Sequence, residues 1–267
     1  MTYCCGVLVR EGLVLLADTR TNAGVDNIST FRKLHIFEEP GHHVIGIASA
    51  GNLSVTQSVI SLLREGFEDE ETGENRQLRD CHGMFQAAQL VGQAIRHVQK
   101  VNGVVMEQSS SINFEVSFLL GGQIQGGPLR LFMIYPAGNF IECTPDTPFL
   151  QIGEHKYGKP VLDRAVHYDM PISDALKASL ISMDSTMRSN LGVGMPLDML
   201  VLCTDKLQAE LNARIEAGDP YFHDLRERWS AALRAAHASI PRPPYLKQIR
   251  PVESGHGESR KEDVAAV

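Results

Sequence analysis

The order of the secondary-structure elements is the feature that most constrains the fold of this chain. Apolar runs of strand length and segments with helical apolar spacing come in blocks between residues 2 and 203 and do not alternate. The blocks are strands, two helices, strands, two helices and a last strand. This order implies two stacked sheets between helical layers. We therefore expect an α+β fold, a four-layer αββα sandwich, with helices at residues 53–63, 83–101, 159–168 and 173–188.

A further helix is predicted after the last strand. Asp219 is a typical N-cap residue and Pro220 suits the first helical position, so we expect a helix that ends near residue 237. Its apolar stripe packs either on its own domain or on a neighbouring subunit. We predict one domain over residues 2–238, in which a helical extension begins near residue 206. Residues 239–267 are polar and begin with a proline-rich stretch, which predicts a disordered tail.

Composition excludes several classes of partner and location. A net charge of −7 without a basic stripe argues against nucleic acid as a partner. Because the sequence has neither an apolar stretch of about 18 residues nor a secretory signal, we expect no membrane span and no secretion. The five cysteines are odd in number and lie mostly in apolar runs, which is typical of reduced core cysteines. We predict a cytoplasmic protein.

Thr2 combines a nucleophile and a base on one residue once Met1 is removed. A small second residue such as threonine permits that removal. The new α-amine has an ordinary pKa of about 7.7–8.0, so it can accept the hydroxyl proton at neutral pH. Many proteins begin in this way, and the prediction of an N-terminal nucleophile therefore depends on the residues that follow.

Asp18 and Lys33 are predicted to lie beside Thr2. Residues 3–9 form a strand, and a turn leads into a second strand that ends at Asp18. Lys33 begins the next strand after a polar loop. A lysine near the threonine oxygen stabilises a developing alkoxide, and an aspartate keeps that lysine charged and oriented. The alternative is that Asp18 caps a turn and Lys33 is a solvated lysine at a strand end.

The order of these residues resembles that of a known family. Thr2, the segment Leu16-Ala17-Asp18-Thr19-Arg20 and Lys33 follow one another as in the proteasome β-subunit superfamily of N-terminal nucleophile hydrolases. Residues 2–37 are most similar to Anbu, the group also called bacterial proteasome homologue, and the resemblance extends to about residue 205. It implies the αββα fold, a threonine-type peptidase and a ring-like homo-oligomer. It leaves open whether an ATPase is a partner.

The resemblance also assigns the candidate site. It implies that the turn after the strand at residues 43–48 supplies an N–H group to an oxyanion. The residues with catalytic roles are Thr2, Asp18, Lys33 and Gly51. Substrate is expected to add as a strand along two edges and to place a small or apolar side chain in a pocket. The residues at these positions are Thr21, Asn22, Ser49 and Leu53.

Two stretches depart from the family pattern. Glu154 stands where active proteasome subunits have a serine near the threonine amine. Ser189 and Gly192 stand where they have an aspartate and a second serine. We assign Arg20, Glu154 and Ser189 to the supporting residues that orient the amine. Two hydroxyls and a carboxylate that orient the amine in active subunits are therefore replaced in this sequence.

Three functions are compatible with these residues. The first is an N-terminal threonine peptidase or amidohydrolase that forms an acyl-enzyme on Thr2. The second is a weakly active or inactive proteasome-like assembly or peptide-binding protein, which Glu154, Ser189 and Gly192 favour. The third is an amidase with a narrow specificity for a small peptide or a modified amino acid.

No metal and no other cofactor is predicted. His42 and His43 are adjacent and His35 precedes them, so all three are possible ligands. Their spacing in the sequence is not that of a metal site, and no third ligand follows the adjacent pair at such a spacing. Neighbouring strand residues also point to opposite faces, which would separate His42 from His43. We interpret these histidines as structural.

Overall fold

The computed structural model of the protein describes residues 1–22, 28–68, 73–108 and 114–245, except for the side chains of residues 22, 28 and 102–108. In chain order the strands are β1 (Tyr3–Val9), β2 (Gly12–Asp18), β3 (Arg20–Asn22), β4 (Ile28–Thr30), β5 (Leu34–Glu39), β6 (His43–Gly51), β7 (Phe67–Glu68), β8 (Asn75–Arg76), β9 (Val116–Ile124), β10 (Arg130–Ile134), β11 (Phe140–Glu142), β12 (Phe149–Gly153), β13 (Leu197–Cys203) and β14 (Ala209–Ile215). The helices are α1 (Leu53–Glu65), α2 (Met84–Gln108), α3 (His155–Ala165), α4 (Ile172–Ser189) and α5 (Pro220–Ser239), with a short 3₁₀ helix at Leu78–Asp80. Of the described helices, none is both long and apolar enough to cross a membrane.

Two five-stranded antiparallel sheets carry the fold. Sheet I has the order β12-β1-β2-β13-β14, and sheet II has the order β11-β10-β9-β6-β5. Every residue of β1 and β2 is buried, because both faces of sheet I are covered there. This double burial explains why the two strands are continuous apolar runs in the sequence. Cys4 pairs with Ala17 in their hairpin, so the start of β1 lies beside the end of β2.

The two sheets pack face to face through a shared apolar layer. A Cβ atom at Gly46 would lie 2.5 Å from Leu200 Cδ2 and 2.7 Å from Leu15 Cδ1, so the sheets approach closely because this residue has no side chain. Helices α1 and α2 cover the outer face of sheet II, and α3 and α4 cover that of sheet I. These four layers confirm the predicted αββα sandwich.

The structure differs from the expected helical extension at its start. Residues 209–215 form β14, which pairs with β13 at the edge of sheet I. Exposed and partly buried residues alternate along this strand up to Ile215, which is buried. An edge strand with one solvated face has this period of two. The helical part of the extension is α5, and the Asp219 carboxylate accepts the Phe222 N–H at 2.7 Å, as expected of its N-cap.

Helix α3 begins at His155, four residues before the predicted start. Gly158 lies inside the helix and is buried. A Cβ atom at this position would lie 2.3 Å from Ser182 Oγ and 2.6 Å from the Tyr3 hydroxyl oxygen. The glycine is therefore required by the close contact of α3 with α4 and β1, and it does not mark a loop.

The chain divides into two compact units, Met1–Glu227 and Arg228–Val267. The first contains both sheets, helices α1 to α4 and the first turns of α5. Within it, Phe222 and Leu225 are buried in the apolar cluster under sheet I. The second unit is described as far as residue 245 and contains the last turns of α5. The boundary at residue 238 stays a prediction, and most of the tail predicted at 239–267 lies outside the described residues.

Candidate active site

Thr2 lies immediately before β1 and is buried, with 8% of its surface exposed. Its carbonyl oxygen accepts the Glu154 N–H at 2.8 Å. Gly153 has a φ of +79°, and a Cβ atom there would lie 2.0 Å from the same carbonyl oxygen. The end of β12 therefore holds the backbone of Thr2 by a contact that only glycine permits.

Asp18 is fully buried at the end of β2 and accepts hydrogen bonds from three directions. Its Oδ1 accepts the Tyr3 N–H at 3.0 Å and a proton of Lys33 Nζ at 2.9 Å. Its Oδ2 accepts the Gly194 N–H at 3.3 Å. The β1–β2 hairpin produces this contact, since it returns the end of β2 to the residue that follows Thr2.

Lys33 is the buried cation of the site, with 4% of its surface exposed. Its Nζ donates to Asp18 Oδ1 at 2.9 Å, to the Arg20 carbonyl at 2.6 Å and to the Met1 carbonyl at 3.4 Å. These three acceptors match the three protons of an ammonium group. A buried charge needs such partners, because an unpaired one strongly opposes folding.

Burial controls the protonation of the acidic groups here. It raises the pKa of Asp18, while the charge of Lys33 and the N–H groups of Tyr3 and Gly194 act in the opposite direction. The pKa of the Cys4 thiol is well above its ordinary value, first because of burial and then because of the Asp18 charge. Cys4 therefore stays a thiol.

One cavity brings most of the predicted site residues together. It has a volume of about 240 Å³ and is lined by Met1, Thr2, Thr21, Lys33, Ser49, Ala50, Gly51, Leu53 and Thr56. Asp18 is not among the lining residues and reaches the cavity through Lys33. The backbone of Asn22 belongs to β3, but its side chain lies outside the described residues.

Gly51 ends β6 at the cavity wall with a φ of +110°. A Cβ atom there would lie 2.1 Å from the Glu115 carbonyl oxygen on β9, so no other residue fits without moving backbone. Asn52 then caps α1, and its side-chain oxygen accepts the Val55 N–H at 3.2 Å. The first turn of α1 therefore also faces the cavity, and the partial positive charge of a helix N-terminus suits an anion.

Glu154 contacts Thr2 through its backbone N–H. Its carboxylate lies 3.8 Å from Lys156 Nζ, and the side chain is 19% exposed. Ser189 is the last residue of α4, is exposed, and does not line the cavity. Gly192 lies against Met1, since a Cβ atom there would be 2.6 Å from Met1 Cβ. The structure thus places Glu154 beside Thr2 and Gly192 beside Met1, and Ser189 is not part of the cavity lining.

Arg20 connects the cavity to the loop after α4. Its carbonyl accepts from Lys33, and its Nη1 donates to the Leu191 carbonyl at 3.0 Å. A Cβ atom at Gly194 would lie 2.3 Å from Arg20 Cζ, so the guanidinium covers this glycine. Among the described side chains, Arg20 Nε is a buried nitrogen without a hydrogen-bond partner.

Sequence reasoning missed two contributors to the site. Thr56 lies one turn after Leu53 in α1, and its hydroxyl donates to the Leu53 carbonyl at 2.9 Å. Spacing along a predicted helix could have found it. Gly194 donates to Asp18 from a loop 176 residues away, and no local pattern marks that approach.

The match to known sequences shows the family of this chain. The sequence pattern described as Proteasome subunit matches residues 2–202. Proteasome subunit beta 2 of Pyrobaculum calidifontis is 25% identical over 199 residues, which cover 74% of this chain and 86% of the relative. The chain belongs to the proteasome subunit family and has the fold of its N-terminal nucleophile hydrolases.

Within this family the chain is similar to Anbu. Anbu from Hyphomicrobium sp. strain MC1 is 46% identical, with a TM-score of 0.81 over 90% of this chain and 99% of the other. Anbu from Yersinia bercovieri, described as an ancestral β-subunit, is 46% identical with a TM-score of 0.81 over 90% and 98%. The helical assembly of the Anbu complex from Pseudomonas aeruginosa contains a chain that is 44% identical, with a TM-score of 0.84 over 92% and 99%.

Proposed function

We propose that the protein is an N-terminal threonine peptidase or amidohydrolase that cleaves peptide or amide bonds through an acyl-enzyme on Thr2. The observation that carries the proposal is the buried pair of Lys33 and Asp18 beside Thr2. A buried ion pair contributes little to stability compared with apolar residues of similar volume. Perturbed and buried charges of this kind cluster at functional sites.

Removal of Met1 is the step that would complete the site. The amine of Thr2 is an amide nitrogen as long as Met1 is attached, and it cannot serve as a base. Lys33 Nζ is 3.4 Å from the Met1 carbonyl, so removal also frees one donor of this lysine inside the cavity. Met1 itself is 67% exposed, and an aminopeptidase can reach it.

The acylation step follows from these groups. Thr2 Oγ attacks the substrate carbonyl carbon, and its proton passes to the Thr2 amine directly or through a water. The electron pair of the carbonyl moves to its oxygen, which the Gly51 N–H stabilises. The C–N bond then breaks, the leaving amine takes the proton from the Thr2 ammonium, and an ester remains on Thr2.

Deacylation uses the same base. Water attacks the ester carbon and gives its proton to the Thr2 amine. The tetrahedral intermediate expels Thr2 Oγ, which recovers the proton, and the acid product leaves. Throughout, the charge of Lys33 favours the neutral amine and the developing alkoxide, and Asp18 keeps Lys33 charged.

The substrate would bind in extended form between Thr21 and the segment 49–51. Strand addition along these backbones supplies hydrogen bonds that do not depend on side chains. The cavity of about 240 Å³ next to Leu53 and Thr56 fits a small or apolar side chain. Asn22 belongs to the same proposed binding edge.

We extend the proposal to assembly and location. The Pseudomonas aeruginosa relative is described as a helical assembly, and by this similarity the chain forms a homo-oligomer, which we expect to be ring-like. An ATPase partner is not assigned. The five cysteines are free thiols, which supports the cytoplasm as the compartment.

The proposal is tested by turnover of a peptide library with the processed protein and its Thr2→Ala variant. We expect hydrolysis of a subset of peptides by the native protein alone. Cleavage confined to one or two short substrates would identify the narrow-specificity amidase. Equal cleavage by both proteins would come from a contaminant and would overturn the proposal.

A second candidate is a weakly active or inactive proteasome-like assembly that binds peptides. It is favoured by the supporting residues, since Ser189 is exposed away from the cavity and the Glu154 carboxylate is oriented to Lys156. In this case labelled peptides from the same library would bind to the native protein and to Thr2→Ala with equal affinity, without hydrolysis.

A further inference from the structure

The turn between β5 and β6 places three metal-ligating side chains together. One ligand atom each from Glu39, His42 and His43 lies within 4.8 Å of the other two. Sequence spacing did not indicate this group, because its ligands are distributed around a hairpin turn. His42 lies in the turn itself, so the alternation of side chains along a strand does not separate it from His43.

The backbone fixes this arrangement. Glu39 pairs with His43 across the hairpin, which places both side chains on the same face. The His42 N–H donates to the Glu39 carbonyl at 2.9 Å, and the His42 carbonyl accepts the Gln125 N–H at 2.8 Å. Gly41, with a φ of +81°, donates to the Leu207 carbonyl at 3.2 Å. The turn is therefore tied to two neighbouring segments.

The two imidazoles lie close to the spacing of neighbouring ligands. His42 Nδ1 and His43 Nδ1 are 2.9 Å apart, with the rings at 80° to each other. Two nitrogens bound at about 2.05 Å to a tetrahedral ion would be about 3.3 Å apart, so a small outward shift of the rings would admit the ion. The Glu39 carboxylate is exposed, and its ligand atom lies within 4.8 Å of those of both histidines, so it can complete the group.

We propose that Glu39, His42 and His43 form a binding site for a divalent first-row transition-metal ion of the zinc class. Two imidazole nitrogens and one carboxylate oxygen suit such ions, whereas magnesium and calcium prefer oxygen ligands alone. Water would fill the remaining coordination positions. A metal ion bound here would cross-link β5 and β6 at one end of sheet II.

The contact between the two rings constrains their tautomers. One Nδ1 donates its proton to the other in this contact. For both Nδ1 atoms to bind the ion, the donating ring would change to the tautomer that carries its proton on Nε2.

The metal would act at a distance from Thr2. Strand β6 runs from His43 to Gly51, which corresponds to roughly 26 Å at the usual rise of a strand. The ion is therefore no part of the threonine chemistry. It would fasten β5, the edge strand that begins directly after Lys33, to the strand that ends at Gly51.

Zinc titration of the full chain without a histidine tag, by calorimetry, tests this site. We expect one Zn²⁺ per chain with a dissociation constant on the order of micromolar or tighter. His42→Ala should weaken binding at least about tenfold, and Glu39→Gln should weaken it by a smaller factor. His82→Ala, which changes an exposed histidine elsewhere, is the matched control and should bind like the native protein.

Substitution of Co²⁺ provides a second readout, since the intensity and position of its visible absorption change when protein ligands replace water. The native protein should develop the bands and His42→Ala should not. His42→Ala and Glu39→Gln each change an exposed side chain at the β5–β6 hairpin and leave its backbone hydrogen bonds in place. Thermal unfolding without metal verifies that both variants are folded. Absence of zinc uptake by the native protein, or equal uptake by His42→Ala, would overturn the proposal.

Discussion

Lys33 Nζ and Asp18 Oδ1 form an ion pair of 2.9 Å in which both side chains are buried. Removal of the cation leaves an unpaired carboxylate under the cavity. For Lys33→Met we expect the free energy of unfolding to fall by about 3–5 kcal/mol and turnover to be lost. The double variant Lys33→Met/Asp18→Asn should recover much of the stability without recovering turnover, because it removes the buried charge but restores no cation.

Chemical denaturation and peptide hydrolysis measure the two effects separately. Lys206→Met, at an exposed lysine, is the control and should change neither quantity. If Lys33→Met is as active as the native protein, Lys33 has no catalytic role.

Gly51→Ala should damage the oxyanion position through its backbone. Its φ of +110° disfavours alanine, and the new Cβ would lie 2.1 Å from the Glu115 carbonyl oxygen. We expect a loss of about 1–3 kcal/mol in stability and at least about a hundredfold loss in kcat/KM, since the N–H group is displaced. Gly126→Ala is the matched control, because Gly126 has a φ of +81° and no atom within 4 Å of the new Cβ. It should lose about 1 kcal/mol and keep full activity.

His35 makes stability depend on pH below neutrality. Burial, followed by the charges of Arg64 and Arg32, lowers its pKa from 6.5 to about 4. Because the folded-state pKa is below the unfolded one, the stabilisation is complete above pH 6.5 and is lost as the pH falls to 4. Partial exposure of the ring limits the loss to about 1–2 kcal/mol.

Urea denaturation at a series of pH values measures this dependence. His35→Gln should flatten the curve between pH 6.5 and pH 4 relative to the native protein. His82→Gln, at an exposed histidine, should leave the curve unchanged. An unchanged slope in His35→Gln would show that another group takes up the proton.

Glu154 and Ser189 should respond differently to restoration of the family pattern. Glu154→Ser keeps the backbone N–H that holds Thr2 and adds a hydroxyl beside the future amine, so we expect turnover to rise. Ser189 is exposed at the end of α4, and Ser189→Asp should stay within about twofold of the native rate. Hydrolysis by both variants measures this, and a large gain in Ser189→Asp alone would contradict the placement of that residue.

Local patterns predicted the strands that are buried on both faces and the helices that have a clear apolar stripe. β1 and β2 are continuous apolar runs, and α1, α2 and α4 have strong helical spacing, so their types were predictable. β14 was missed because an exposed edge strand has the composition of a surface segment. α3 begins earlier than predicted, and Gly158 lies inside it at a close contact with Ser182 that the local sequence does not indicate.

The residues of the candidate site also separate into those that the sequence predicted and those that it did not. The hairpin and the strand that follows predicted that Asp18 and Lys33 lie beside Thr2, whereas Gly51, which lines the same cavity, was assigned by the family resemblance alone. Gly194 and the position of Ser189 depend on how the loop after α4 returns to β2, and sequence separation gives no measure of that path. Glu39 was not considered beside His42 and His43, because the hairpin and not a sequence spacing brings its side chain to them.

Intact mass of the purified protein, before and after treatment with an epoxyketone that reacts with N-terminal threonine, tests the central claim most directly. We predict loss of Met1 and addition of one inhibitor per chain, with no adduct on Thr2→Ala. Removal of Met1 without an adduct would favour the peptide-binding assembly. Retention of Met1 on the native protein would contradict the threonine-hydrolase mechanism, because the base of the reaction would never be formed.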